Sequence, residues 1–336
     1  MRLARILGRA ILWMGLTLAM NSLAFADIGR PDRNGPPTKV EVEIFLIDVD
    51  GVDGVNQSFQ ANVFYALRWN DPRLVHEEIG GHSRPLSDIW HPRIQLINQQ
   101  KISKTFSDVV EVAPSGDVVY RQRVWGSFSQ PLYLRDFPFD RQNFEILLGA
   151  VGYTPEQVEL VADPNSRISE RFSLPDWNVV KWMVENKPFQ AGSGGKEGAM
   201  VTFSFEATRR VGYFIGKVIV PLVLIVAMSW IVFWIDPRES GTQISVAITA
   251  MLTLIAYRFA VGQQLPNVEY MTRLDLFILG SSLLVFASLI QVVVTSTFAS
   301  SDRLSQAREI DIWCRWLFPV VFVLIALETL ILRIVL

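Results

Sequence analysis

In the first part of the chain, apolar and polar residues alternate in short runs. Over residues 39–46, Val40, Val42, Ile44 and Leu46 fall on one side and Glu41 and Glu43 on the other. A period of two marks a half-buried strand, because successive side chains of a pleated strand point to opposite faces. The same alternation predicts strands over 60–69, 118–128, 144–148 and 201–208. Turn residues separate these runs: Asp50-Gly51, Asp53-Gly54, Gly80-Gly81, Ser115-Gly-Asp117 and the glycine-rich stretch at 191–195. Many short strands with such punctuation predict an antiparallel β-sandwich.

After about residue 210 the pattern changes. Four apolar runs, at 213–235, 244–261, 274–297 and 313–336, each have about the 20 residues that a membrane-spanning helix needs. Trp230, Trp234, Tyr270, Trp313 and Trp316 sit near their ends, where aromatic side chains settle at the membrane interface. The start of the chain reads as a secretory leader over 1–26: Arg2, Arg5 and Arg9, an apolar run, then Ala24-Phe-Ala26. A membrane anchor is the alternative, for which the apolar run is short. The expected organisation is therefore a leader at 1–26, an exported β-sandwich at 27–210 and a membrane domain at 211–336. Both mature termini then lie outside. The inner loops, 236–243 and 298–311, carry Arg238, Arg303 and Arg308, a slight positive-inside bias.

Composition narrows the chemistry. A formal net charge of −2 and the lack of a basic block give no reason to expect a nucleic-acid partner. The lone Cys314 rules out an internal disulfide and reads as a small buried hydrophobe. No nucleophile motif, phosphate-binding loop or metal-ligand spacing is found, so neither catalysis nor a cofactor is expected. His76, His82 and His91, near Glu77 and Glu78, match no zinc spacing and read as loop histidines.

The second apolar run carries a stripe. Thr242, Ser245, Thr249, Leu252, Ala256 and Phe259 recur at three and four residues, one narrow face of a helix. The stripe is polar at one end and apolar at the other. Helix packing through small hydroxyl residues is one reading. The other is a pore wall, in which hydroxyls solvate an ion and a ring of Leu252 or Phe259 closes the path by dewetting. One helix cannot enclose water, so a pore requires several copies of the chain.

Two stretches carry a family resemblance. Phe137-Pro-Phe-Asp140, within residues 130–144, resembles the signature loop of the pentameric ligand-gated ion channels, the Cys-loop receptor superfamily. Animal members have cysteines where Gln130 and Phe144 stand; their absence resembles the prokaryotic members. SGTQISVAITAMLTL is similar to the second membrane helix of the acetylcholine-gated members. Trp69-Asn-Asp71, Trp90-His-Pro92 with Leu96-Ile-Asn98, the segment 52–57, Arg209-Arg210 and Pro221 match further family motifs in order.

The resemblance implies a homopentamer around a central pore, with an outer β-sandwich over four membrane helices in each subunit. It implies a small-molecule agonist, an amine or aromatic compound, bound between sandwiches, with Phe64, Tyr153, Trp182 and Phe189 as its aromatic contacts. Ile97 and Val151 replace two usual aromatics, and the bland reading of each ring is sandwich core. Coupling to the pore is expected where Asp53, Phe137, Pro138, Asp140, Arg209, Arg210 and Pro266 meet. Glu239, repeated around the pore mouth, would favour monovalent cations; a solvated loop carboxylate is its other reading. The family's anion channels carry a basic residue at the position of Gln243. A bacterial inner membrane is the expected location, with lipid around the helices. A non-conducting four-span periplasmic receptor is the alternative function.

Overall fold

The computed structural model describes residues 28–174, 176–190, 197–262, 268–301 and 303–332. The leader inferred at 1–26 and Pro266 lie outside them. Two sheets face each other in the first domain. The larger is built on β1 (Thr38–Asp53), β2 (Ser58–Asn70) and β7 (Asp117–Ser129), antiparallel in that order. β6 (Val109–Val112) and β3 (His82–Pro85) extend it beyond β7, and β5 (Gln99–Lys104) also pairs with β7. The smaller sheet runs β11 (Trp177–Asn186), β14 (Met200–Arg209), β8 (Arg141–Ala150), β4 (Ile94–Leu96). A short pair, β12 (Phe189–Gln190) and β13 (Glu197–Gly198), stands apart.

The sandwich departs from the expected pattern in three places. First, β9 (Val158–Ala162) and β10 (Arg167–Ile168) run parallel to β1, so the larger sheet is mixed. After β8 the chain crosses back and lays these segments along the free edge of β1, in its own direction. Second, Asp50-Gly51 is not a turn. It belongs to β1, where the register shifts between Val49 and Gly51, and the reversal comes in the turn that follows Asp53. Third, Glu43 does not face water. Arg68 bridges it to Asp163 at 2.5 and 2.6 Å, and the segment after β9 covers it.

Aromatic side chains join the sheets. Phe59 of β2 stacks on Phe128 of β7, with ring centres 5.3 Å apart. Opposite them Phe144 of β8 stacks on Phe205 of β14 at 5.0 Å. Phe59 meets Phe144 and Phe205 edge-on at 5.2 and 5.8 Å, and Trp177 of β11 closes on Phe144 at 5.7 Å. The alternation of β2 and β8 aims these rings inward, and edge-to-face contact adds to their apolar burial.

Four helices follow: α1 (Gly212–Trp234), α2 (Ser240–Gly262), α3 (Arg273–Ser300) and α4 (Leu304–Ile331). Each is long and apolar enough to cross a membrane. α3 sits centrally, packed on α1, α2 and α4. α1 contains a wide turn at Ile215–Ile219 just before Pro221, and Tyr257 of α2 donates to the Val218 carbonyl there at 2.6 Å. α4 begins at Leu304, well before the apolar run expected from residue 313. Its inward stripe, Ala307, Asp311, Cys314, Phe318 and Phe322, keeps helical spacing through the polar stretch. Hydropathy alone picked out only the greasy end.

Phe144→Ala removes the ring that both sheets share. The expected loss is about 3–5 kcal/mol, read as a lower melting temperature of the detergent-purified chain. Phe144→Leu loses less. An unchanged melting temperature for Phe144→Ala would refute the ring stack as the joint between the sheets.

Candidate functional site

α2 has two distinct faces. Gln243, Ala247, Ala250, Leu254 and Val261 are buried against the other helices. Thr242, Ser245, Thr249, Leu252, Ala256 and Phe259 are all exposed, and Leu252 and Phe259 stand out at 61% and 76%. The stripe seen in the sequence is therefore the face that the subunit leaves open. Ser245 and Thr249 donate their hydroxyls back to the carbonyls of Gly241 and Ser245, at 2.8 and 2.7 Å. Their oxygen lone pairs are left to face outward.

A single turn, Pro237–Glu239, leads into α2. Glu239 is exposed and lies three residues before Thr242. Asp236 is engaged elsewhere. It accepts the Arg238 backbone N–H at 3.0 Å and pairs with Arg308 at 2.8 Å. The Arg238 N–H, followed by Arg308, holds the Asp236 carboxyl below the usual carboxylate range. Gln243, at the position that the resemblance sets beside a basic ring, is fully buried. It donates to the carbonyls of Val232 and Ile235.

The signature loop is the joint between sandwich and helices. Arg209, the last residue of β14, forms two bonds to Asp140, at 2.7 and 3.0 Å. Both side chains are nearly enclosed, at 12% and 1% exposure. The Arg209 guanidinium also lies over Trp177, Phe137 and Phe214, at 4.2, 4.8 and 6.0 Å from the ring centres. Phe137, joined to buried Pro138 by a cis peptide, packs edge-on against Phe214 at the start of α1. Strand end, loop and first helix thus meet on one cation. Two expected members do not join them. Arg210 turns to Asn178 at 2.7 Å. Asp53 closes its own turn, accepting from Val55 and Asn56. The Asn56 backbone N–H, then its side-chain amide, hold the Asp53 carboxyl below its usual range. The turn geometry uses its oxygens locally, and Arg209 pairs with Asp140 rather than with Asp53.

The expected ligand aromatics are spread over the sandwich. Phe64 is half-buried beside Phe106, ring centres 6.5 Å apart. The Tyr153 hydroxyl accepts from Trp90 Nε1 at 2.9 Å, and Arg93 lies 5.8 Å from its ring centre. Trp182 is exposed and stacks on Phe203 at 5.8 Å. Phe189 stands in β12, its backbone paired with Gly198. Ile97 and Val151 are exposed. A cavity of about 600 Å³ opens between the sheets, lined among others by Trp69, His91, Arg93, Lys104 and Tyr120. Burial, then the Asp108 carboxylate, push the Tyr120 phenol up, and burial pushes the His91 imidazole down. His76 and His82 lie side by side, ring centres 4.5 Å apart, and His82 Nε2 lies 2.6 Å from exposed Glu78. Among the described residues no group of three or more such side chains is set to hold a metal.

Two family models match the chain. The neurotransmitter-gated ion-channel ligand binding domain matches residues 20–211. The neurotransmitter-gated ion-channel transmembrane region matches residues 218–303. The chain belongs to the neurotransmitter-gated ion channels.

For a member of this superfamily of pentameric ligand-gated channels, several joint residues were not visible in its sequence. Arg273, at the start of α3, donates to Asp136 at 2.7 Å and is almost fully buried. The Tyr270 hydroxyl accepts from Leu134 N at 2.9 Å, and the Leu274 N–H donates to the Phe137 carbonyl at 3.3 Å. The signature loop is therefore held from both α1 and the head of α3. One signal was present: Thr272 and Asp275 have capping-box spacing, and they close the first turn of α3 reciprocally.

Asp140→Ala leaves Arg209 enclosed without its counter-charge. The channel subunit should lose about 3–5 kcal/mol, seen as a fall in melting temperature. Restoring only the shape, Asp140→Asn, should recover part of the loss. Equal stability of all three forms would show that the pair does not hold the joint.

Proposed function

We propose that the chain forms a homopentameric ligand-gated cation channel. The observation that carries this reading is the open face of α2. A subunit whose helix leaves a hydroxyl-to-apolar stripe exposed, while its opposite side is buried, is incomplete alone. Five copies with these stripes inward would enclose a path. Thr242, Ser245 and Thr249 would then offer oxygen lone pairs to an ion. Leu252 and Phe259 would form apolar rings that close the path when dewetted.

Cation selectivity rests on Glu239. It is exposed at the mouth of the stripe, while Asp236 is tied to Arg308. The agonist, a small amine or aromatic compound, would bind between neighbouring sandwiches near Phe64, Tyr153, Trp182 and Phe189, by cation–π or stacking contact. Its signal would reach the helices through the Asp140–Arg209 joint and the outer connection that contains Pro266. The chain is a multi-pass membrane protein; a bacterial inner membrane with the sandwich and the C-terminus on the periplasmic side is part of this proposal.

The test is current across a planar bilayer under sodium and chloride gradients, during a screen of small amines and aromatic acids. An agonist-evoked current reversing near the sodium potential is expected. Reversal near the chloride potential would overturn the role of Glu239, and folded pentamers that never conduct would favour a non-conducting receptor. Glu239→Gln should move the reversal potential toward that of chloride. Leu252→Ser removes an apolar side chain worth about 1.5–3 kcal/mol on burial. The half-maximal agonist concentration should fall by about tenfold or more. A Leu252→Ser channel with parental gating would remove Leu252 from the gate.

A further inference from the structure

A polar cluster lies inside the helix bundle, at the end away from the sandwich. Gln243 of α2, Gln291 of α3 and Asp311 of α4 are 0%, 9% and 2% exposed. Their orientations are fixed by what they donate to. Gln243 Nε2 donates to Val232 O and Ile235 O, at 3.1 and 2.9 Å, where α1 ends. Its oxygen is turned away from those carbonyls, and it is the N–H side of the amide that approaches Asp311. Gln291 Nε2 donates to Asp311 Oδ1 at 2.6 Å. Flipping either amide would set oxygen against oxygen. With these bonds made, Gln243 Oε1, Gln291 Oε1 and Asp311 Oδ2 are all buried and without a hydrogen-bond partner.

We propose that Asp311, Gln243 and Gln291 form a binding site for a monovalent metal cation, sodium or potassium. The donor set is all oxygen, which suits hard cations. It carries one formal negative charge, which one such ion balances. A proton on Asp311 supplies a single donor and leaves one amide oxygen unmet, whereas a metal ion held among the three would meet them all. The nearby arginines make their hydrogen bonds to other groups, while Arg315 still acts electrostatically on Asp311. Arg315, one turn further along α4, donates to Phe233 O at 2.9 Å, and its guanidinium lies 5.6 Å from the Trp234 ring centre. Arg308 pairs with Asp236. The charged residues of α2 and α3, Arg258, Arg273 and Asp275, lie at the opposite end of the bundle.

The bound ion ties α2, α3 and α4 together, and through Gln243 it holds the end of α1. It sits behind the open stripe, one residue along from Thr242. The site stands on these contacts alone and does not require that the chain conduct.

The test compares the full-length purified protein in sodium, potassium and N-methylglucamine chloride at equal ionic strength. A metal-cation rise in melting temperature of about 2 °C or more, saturating with concentration, is expected. Asp311→Asn should abolish the rise; Asp236→Asn, which breaks the neighbouring ion pair, should keep it. Crystals of the unmodified protein grown in rubidium or thallium should show an anomalous peak among the three oxygens. That measurement decides even where Asp311→Asn does not assemble. Equal melting temperatures in all three salts with no anomalous peak would overturn the site. If Asp311→Asn then matches the parent in stability, the occupant is a proton on Asp311.

Discussion

The Asp140–Arg209 pair is the constraint on which the two halves of the molecule depend. A β-sandwich and a helix bundle bury their apolar surfaces in different surroundings. The joint must then be directional. Arginine suits this because its planar guanidinium makes two parallel bonds to one carboxylate and still offers its faces to rings. Here the faces lie over Trp177, Phe137 and Phe214, which belong to the smaller sheet, the signature loop and α1. Movement of any one of these elements changes the surroundings of the same charge. A charge this enclosed does not tolerate partial separation from its partner, because the desolvation cost is not recovered. The joint therefore favours discrete arrangements over gradual ones.

The open face of α2 follows from the packing behind it. Small Ala247 and Ala250 let α2 approach its neighbours, while Gln243 pins its start to the end of α1. Tyr257 pins its upper half to α1 at Val218. Hydrogen bonds from two side chains fourteen residues apart, near the two ends of α2, fix the rotation of the helix about its own axis. Without them, a helix with weakly contrasting faces would have little reason to prefer one rotation. The stripe is presented outward because polar pins hold the opposite side.

How legible this was depends on the range of the interaction. Periodicity within one element is local, so the alternation of β1 and the three-four stripe of α2 could be read directly. Contacts between distant segments left no such trace. Nothing near Asp136 indicates Arg273, and nothing near Asp53 shows that its carboxylate would be used within its own turn. The start of α4 was missed for a different reason. Hydropathy measures average greasiness, whereas a buried Asp311 on a helical stripe lowers that average without ending the helix. Gln243 was placed by alignment to a motif, and its burial follows from rotation about the helix axis, which alignment does not convey.

The signature loop also shows how a covalent closure can be dispensed with. Gln130 and Phe144 stand at the positions that the resemblance gives to the cysteines of animal members, and the loop is closed by side-chain amides. Gln130 Oε1 accepts from Glu145 N at 3.1 Å, across the base of the loop. Gln57 Oε1 accepts from Leu132 N at 2.6 Å, which ties the loop to the β1–β2 turn. Gln142 bonds both backbone groups of Tyr133 and also donates to Asp140, at 3.1, 2.8 and 2.9 Å. Net contributions of about 0.5–1.5 kcal/mol each bring these five bonds into the range of a disulfide, about 2–4 kcal/mol. Phe144, freed from a covalent role, supplies the shared ring of the aromatic stack. The two closures differ in kind. A disulfide restrains the unfolded chain as well as the folded one, whereas the amides act only in the native loop. They bind it at once to the β1–β2 turn, to β8 and to the carboxylate of the joint. In this chain, closure of the loop and formation of the Asp140–Arg209 pair are therefore parts of one hydrogen-bond network.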